Sequence, residues 1–397
     1  MAGSVHGLSP MKLRRCTTVM FEPREEVSFD FTAMLAGRTE PSTTITWFAL
    51  AAHLEQPVPV NAAQRELLGS LGSRFWTEAG DIDGQPEDWQ PLLAAGLLIS
   101  DDDGHAAHRL RDEGMRDGHW WPLAALVHRH ARWSGVNSAA QMRESNLVTA
   151  RDLRSQLGPP PPAVREHPGM YQALPAVDPT GYDRLLERRT TCRNFDAARS
   201  IDCGELAQLL QRTVKAQAVV QVDTDTEFLK KHVPSGGGLH PTETYLLVQR
   251  VEGLQPGLYH YHPVKHALVA LPRQCGRPLQ DVAAAMLSGQ DWFANAAAHL
   301  VLVPRFARTN WKYRNHAKAY RALLLDVGHI SQAVYMAATE RGLAAFVTAA
   351  INEVDTEAVF ALDGVTQSPV AIVGIGWRSD TLDTAEFDPN NVVWASS

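Results

Sequence analysis

Four consecutive prolines, Pro159 to Pro162, interrupt the chain directly after Leu157-Gly158. Each proline ring holds φ at about −65° and removes a backbone donor, so the run can enter neither a helix interior nor a central strand. It reads as a stiff polyproline II spacer with a folded domain on each side. The 397 residues suffice for two buried cores, and no internal repeat suggests another scheme. The sequence therefore divides into a domain over 11–156, a linker over 157–169 and a larger domain over 170–397.

Before the seam the pattern is mixed and mainly helical. Leu67, Leu68, Leu71 and Phe75 recur at helical spacing within Gln64–Phe75. A second helix, from Trp89, stops at Gly96. A short strand through Leu97–Ser100 follows, and Asp101-Asp102-Asp103-Gly104 supplies a turn into a further strand. Helix, helix, strand, turn and strand is the order of a winged helix, and an irregular helical domain that only packs on the main one is the equal alternative. Trp120, Trp121, Leu123, Leu126, Val127 and Trp133 form an apolar stripe suited to a core or interface face.

Beyond the seam, helices and strands alternate. Asp202 and Glu205 predict a capping box that opens a helix carrying Leu206, Leu209, Leu210 and Val214. Strands are predicted over Tyr245–Gln249, Gly257–His262, Ala267–Leu271, His299–Pro304 and Val370–Gly376, with Pro263 to His266 as a hairpin turn. Leu279, Val282, Ala283, Met286 and Leu287 mark another helix. The longest helix runs from about Ala317 to Arg341, with Leu323, Val327, Ile330, Val334 and Ala338 on one face and Gly342 as its stop. The class is α+β, with helices around a largely antiparallel sheet.

Lys and Arg total 37 against 44 Asp and Glu, a net charge of 37 − 44 = −7. This lacks the basic footprint of a general nucleic-acid binder. The four cysteines, Cys16, Cys192, Cys203 and Cys275, form no C-x-x-C pair, so neither a zinc ribbon nor a dithiol redox motif is expected. Sparse, scattered cysteines fit a reducing cytoplasm. Met1 to Pro10 lacks the apolar core of a signal peptide, and no run is apolar and long enough to span a bilayer.

Two segments carry the chemistry. Pro234-Ser235-Gly236-Gly237-Gly238-Leu239-His240-Pro241 runs into an alternating strand, and its glycines let the backbone approach a flat ligand with no Cβ in the way. Upstream, Arg189, Thr191 and Arg193 alternate within Arg188–Phe195, so an extended backbone points all three the same way. Guanidinium forks and short hydroxyls suit a phosphate dianion. Arg378, after Gly374-Ile375-Gly376, is a further phosphate candidate. His260 and His262 share a strand face, but exposed strand histidines are the commoner meaning of that spacing, and no third metal ligand lies near. His240 and His329 are read as structural hydrogen-bonding groups. Asp326 and Glu243 are candidate ion-pair partners for Arg321.

In chain order the motifs are R-R-x-[ST]-x-R-x-F at Arg188–Phe195, P-S-x-G-x-x-H-P-x-E-x-Y at Pro234–Tyr245, and Lys312-Tyr313 with Tyr320-Arg321. Gly328-His329 and Pro369–Gly376 follow. This order resembles the nitroreductase superfamily, and more closely the SagB-type peptide dehydrogenases of ribosomal-peptide maturation. The resemblance covers roughly Tyr182 to Arg378. It implies a nitroreductase-like α+β flavoprotein domain, with the smaller winged-helix-like domain before it, that forms a homodimer with FMN at the subunit interface. It further implies that Arg189, Thr191 and Arg193 hold the FMN phosphate, for which Arg378 is the further candidate. Ser235, Gly236, Gly237 and Leu239 would line the ring and ribityl chain, and Thr348 or Ala349 would stand at the ring's N5 edge. Members often carry an acidic residue and glycine where this chain has Ala349-Ala350.

Lys312 and Tyr313 match the pair that serves dehydrogenation in azoline-oxidising relatives. A lysine whose pKa is lowered by burial can act as a base, and a tyrosine can relay the proton. The implied activity is FMN-dependent oxidation of azolines to azoles in a precursor peptide. The first domain would bind the leader peptide or a partner such as a cyclodehydratase or another maturation enzyme. Reduction of dehydroamino acids in a peptide with NAD(P)H is the main alternative, and a small-molecule nitro or quinone reductase is another. No metal, nucleic-acid or membrane partner is expected, and the expected location is cytoplasmic.

Overall fold

The computed structural model describes residues 11–28, 42–273 and 276–394, and Cys275 lies outside them. The chain forms two compact units, Met1–Arg132 with Phe306–Tyr320, and Trp133–Arg305 with Arg321–Ser397. This division does not follow the proline seam, which is an exposed irregular stretch. The helices Ser138–Glu144 and Ala150–Leu157 precede the prolines yet belong to the second unit. Hydrogen bonds explain why: Ser138 N donates to Ser288 O at 2.9 Å, and Val136 N to Asn352 Oδ1 at 3.0 Å. Conversely, Phe306–Tyr320 joins the first unit. Asn310 Nδ2 donates to Gly118 O at 2.8 Å, and the Phe306 ring lies 4.6 Å from that of Trp120.

The first unit contains β1 (Lys12–Arg15), β2 (Val19–Ser28), β3 (Ser42–Ala51), β4 (Val58–Pro59), β5 (Thr77–Glu78) and β6 (Leu98–Ser100). They form two antiparallel three-stranded sheets, β5-β1-β6 and β2-β3-β4. The helix expected around Leu67 spans Ala62–Ser70, begun by an Asn61–Gln64 capping box, and Phe75 lies beyond it, 81% exposed. The wing's second strand is absent. Asp102 instead accepts from Gly104 N, and the helix Ala106–Asp117 follows. β6 takes its pairing from β1, with Leu13 opposite Ser100, so it needs no hairpin partner. The apolar stripe is split as well. Trp120 and Leu126 are buried, while Leu123, Val127 and Trp133 are exposed.

The second unit contains β7 (Ile201–Asp202), β8 (Ala216–Asp223), β9 (Thr226–Lys231), β10 (Thr242–Val248), β11 (Val251–Glu252), β12 (Gly257–His262), β13 (Ala267–Leu271), β14 (Ala298–Pro304), β15 (Ala344–Thr348) and β16 (Ala371–Gly376). Six of these form one antiparallel sheet in the order β13-β12-β10-β14-β16-β15. Period-2 alternation sends Leu246, Leu300 and Val373 to one face, against the helices Cys203–Thr213 and Ala319–Glu340. It sends Leu247, Val301 and Ile372 to the other, against the helices Leu279–Met286 and Glu353–Phe360. The long helix ends, as expected, at a glycine in the left-handed region, Gly342 with φ 73°. Asp202 caps its helix through Gly204 N, without the glutamate half of the expected box. No helix among the described residues is long and apolar enough to cross a membrane.

Gly374 on β16 has a specific steric task. A Cβ there would overlap the Phe346 ring, which stacks on Phe293 with centroids 3.9 Å apart. Gly374→Ala should therefore destabilise the protein by about 3 kcal/mol through overpacking. Urea denaturation should show a lower midpoint at an unchanged slope.

Candidate functional site

The glycine loop leaves β9 and enters β10. Gly237 and Gly238 take φ of 66° and 70°, a region open to them because they lack Cβ. A Cβ on Gly236 would stand 3.1 Å from that of Ala322. The buried Asp326 of the helix Ala319–Glu340 organises the loop. Its carboxylate accepts from Ser235 Oγ at 2.5 Å and from Gly236 N at 2.9 Å, and Ser235 Oγ in turn accepts from His240 N at 2.9 Å. His329 Nδ1 reaches Pro234 O at 3.2 Å. Leu239 is 2% exposed, so its side chain supports the loop from within rather than facing a ligand.

Behind the loop lies Lys231, 4% exposed, around a small void shared with Ser235, His240 and Asp326. Burial pushes its pKa down to about 8, although the Glu243 charge opposes the shift. Glu243 accepts from Arg305 Nε at 2.8 Å and contacts His260 Nε2 at 3.1 Å. Asp326 and Glu243 thus serve the loop and this cluster rather than Arg321. The two strand histidines also separate in role, since His262 Nδ1 accepts from Lys265 N at 3.2 Å.

The arginine segment leaves the helix Gly181–Arg188 and runs along β15, with Thr191 bridged to Ala345 and Cys192 N donating to Ala345 O at 2.9 Å. The expected alternation holds: Arg189, Thr191 and Arg193 are half-buried, while Thr190, Cys192 and Asn194 are buried. The Arg189 guanidinium lies 5.3 Å from the centroid of the Tyr335 ring, and Thr191 Oγ1 lies 3.0 Å from the Tyr335 hydroxyl. That hydroxyl accepts from Val347 N at 3.0 Å.

Arg378 is not a free phosphate donor within this chain. It pairs with Glu386, whose side chain is fully buried, and donates to Thr190 Oγ1 at 3.0 Å. Glu386 also accepts from Arg193 N at 2.6 Å, Asn194 Nδ2 at 2.9 Å and Trp394 Nε1 at 2.9 Å. A polar cavity of about 260 Å³ lies here, lined by Arg188, Thr190, Gly342 and Arg378 among others.

Thr348 is buried and Ala349 exposed at the end of β15. Gln290 shapes this turn: its Nε2 donates to Ala350 O at 2.6 Å and lies 3.3 Å from Thr348 Oγ1. Lys312 and Tyr313 belong to the first unit, whereas the loop, the arginine segment and this turn belong to the second. Lys312 ends the helix Phe306–Lys312, with its ammonium 5.6 Å from the Tyr313 ring centroid. Lys312 is exposed, so the burial expected to make it a base is not supplied by this chain alone.

Asp326 and Tyr335 are nine residues apart on one helix. At about 100° per residue they project from opposite flanks, roughly 180° apart. The glycine loop is thus fastened to one flank and the arginine segment to the other. Leu325, Gly328 and Gln332, on the helix face between those flanks, are exposed. Sequence reasoning missed Asp326's loop role, Tyr335, Gln290 and Glu386. A buried acid on a helix whose apolar stripe is otherwise regular was the one available signal, and it pointed only to an ion pair.

Burial raises the pKa of Glu386, but hydrogen bonds from Arg193 N, Trp394 and Asn194, with the Arg378 charge, outweigh it and leave the pKa below the usual carboxylate range. A depressed carboxyl stabilises the fold above its unfolded-state pKa and ceases to as pH falls through its folded value. Glu386→Gln should cost about 3 kcal/mol at neutral pH. In denaturation curves across pH, the gap from the wild type should shrink in acid.

The nitroreductase family profile matches residues 186–377, a span that holds the arginine segment, the glycine loop, the long helix and the outer strands β15 and β16. MJ1384 of Methanocaldococcus jannaschii, which is named as a nitroreductase, is 30% identical over 171 residues, covering 43% of this chain and 79% of that protein. The trifolitoxin-processing protein TfxB of Rhizobium leguminosarum bv. trifolii is 32% identical over 149 residues, 36% of this chain and 39% of TfxB. The microcin B17-processing protein McbC of Escherichia coli is 29% identical over 162 residues, 39% of this chain and 57% of McbC. The match spans less than two thirds of the length of either processing protein. Among solved structures, a chain of the E. coli microcin synthetase McbBCD complex with truncated pro-MccB17 bound gives 20% identity and a TM-score of 0.47, over 70% of this chain and 95% of that one. From the family match and the extent of the likeness to MJ1384, the chain belongs to the nitroreductase family.

Proposed function

We propose that the protein is an FMN-dependent oxidoreductase of ribosomally made peptides, and that it oxidises azoline rings to azoles. Family membership supports redox chemistry, and the likeness to two peptide-processing proteins supports a peptide substrate. The residues fit the cofactor. Arg189, Thr191 and Arg193 line one edge with donors suited to a phosphate dianion. The glycine loop offers side-chain-free backbone to a ring, and the exposed Ala349 leaves room at the turn that Gln290 shapes. Bound FMN would supply the hydride acceptor. This chain's residues would orient the peptide ring and take up the carbon-bound proton, a task the family pattern assigns to Lys312 and Tyr313.

One observation carries the proposed arrangement: loop and arginine segment sit on opposite flanks of one helix. A ligand that needs both is best served by two copies, one giving its arginine segment and the other its glycine loop. The variants Arg189→Glu and Asp326→Ala should each lose flavin. A refolded equimolar mixture should regain up to about one quarter of the wild-type flavin absorbance, because half the dimers carry one intact site. If one chain supplied both parts, mixing would restore nothing.

Activity has its own test. With flavin and an azoline peptide, the product should be lighter by two hydrogens. Lys312→Ala should retain flavin while turnover falls by about 100-fold or more. The exposure of Lys312 favours one second reading, reduction of dehydroamino acids. A product heavier by two hydrogens, formed only with NAD(P)H, would establish that direction instead.

A further inference from the structure

A cleft of about 640 Å³ opens in the second unit between the helices Leu279–Met286 and Glu353–Phe360. Its volume lies within the range of roughly 300–1,000 Å³ common for ligand sites. Val282, Ala285, Met286 and Val359 make its wall apolar. Its charged lining is Asp281, Asp291 and Asp355 against Arg277, a formal balance of 1 − 3 = −2.

The third side is held firmly. Gly135 N donates to the Asp355 carboxylate at 2.7 Å. Asn352, 2% exposed, accepts from Val136 N at 3.0 Å and donates to Val136 O at 2.9 Å and Ala285 O at 2.8 Å. Ser288 Oγ donates to Val136 O at 2.9 Å. These bonds tie the Gly135–Asn137 strip to both helices, so the cleft is formed before any ligand arrives. A preformed site loses little ordering free energy on binding.

We infer that this cleft binds an apolar peptide segment bearing one lysine or arginine. The aliphatic stem of such a side chain covers apolar wall while its charged head meets carboxylates at the rim. An acidic ligand would meet net repulsion, and a purely apolar one would leave Asp281 and Asp291 unanswered. The choice of a peptide over a free amine rests on the function proposed above. Gln290 adds a link to that function. It lies between the lining residues Gly289 and Asp291 and bonds the Thr348–Ala350 turn.

The test uses the full chain and a dye-labelled acetyl-Ala-Leu-Arg-Leu-Ala amide, with its Arg→Glu counterpart as control. Fluorescence anisotropy should show the arginine peptide binding at least about 10-fold tighter than the control, with affinity falling as salt rises. Asp281→Lys and Asp291→Lys should each weaken binding by about 10-fold without changing flavin content. Ala358→Trp should block binding by filling the cleft. Equal binding of the two peptides, or indifference to both charge reversals, would overturn the inference. The two proposals fail separately. A protein that takes no flavin but selects the arginine peptide keeps the cleft and loses the redox reading. One that takes flavin and ignores the peptide does the reverse.

Discussion

The apolar stripe Val327, Ile330, Val334 and Ala338, buried against Leu246, Leu300 and Val373, fixes the helix Ala319–Glu340 on the sheet. Full burial of each large aliphatic side chain contributes about 1.5–3 kcal/mol. Nothing in the polar part of the site matches that sum, so the stripe sets the rotation of the helix. Rotation decides everything attached to its flanks. Asp326 meets Ser235 and Gly236, and Tyr335 meets Arg189, Thr191 and Val347, because the residues between them are committed to the core.

Buried or half-buried polar groups then convert this frame into local shape. Asp326 holds a loop whose glycines have no side chains of their own to hold it. Glu386 gathers the arginine segment and the C-terminal stretch around one carboxylate, and Gln290 shapes the turn after β15. Each reaches at least one partner far away in sequence. Each also carries a desolvation cost that only a nearly complete set of donors offsets. Such groups are rigid once satisfied, which suits surfaces that must be ready before a ligand arrives.

Much of the second unit was legible in the sequence. The strands Gly257–His262 and Ala267–Leu271 stand where alternation predicted them, and the long helix and its glycine stop lie within two residues of expectation. Those expectations depend on periodicity, a local property. The short β15 was missed because Ala344–Thr348 is covered on both faces, so no polar positions mark a period of two. The proline seam was a misleading boundary because prolines report what a segment cannot form, not what its neighbours pack against. The second wing strand failed for a similar reason: β6 found its partner in β1, 85 residues earlier.

By itself the sequence determined the chemistry on offer: a stretch of backbone without side chains, alternating guanidinium and hydroxyl donors, and a helix with one apolar face. These follow from residue identity and spacing along the chain. Only tertiary structure decided that the loop and the arginine segment attach to opposite flanks of that helix. It alone neutralised Arg378 with Glu386, left Lys312 exposed, and opened an acid-rimmed cleft between two helices. Such outcomes depend on which distant groups meet when the apolar faces are buried. No local pattern encodes that meeting, because it is set by the packing of the whole unit.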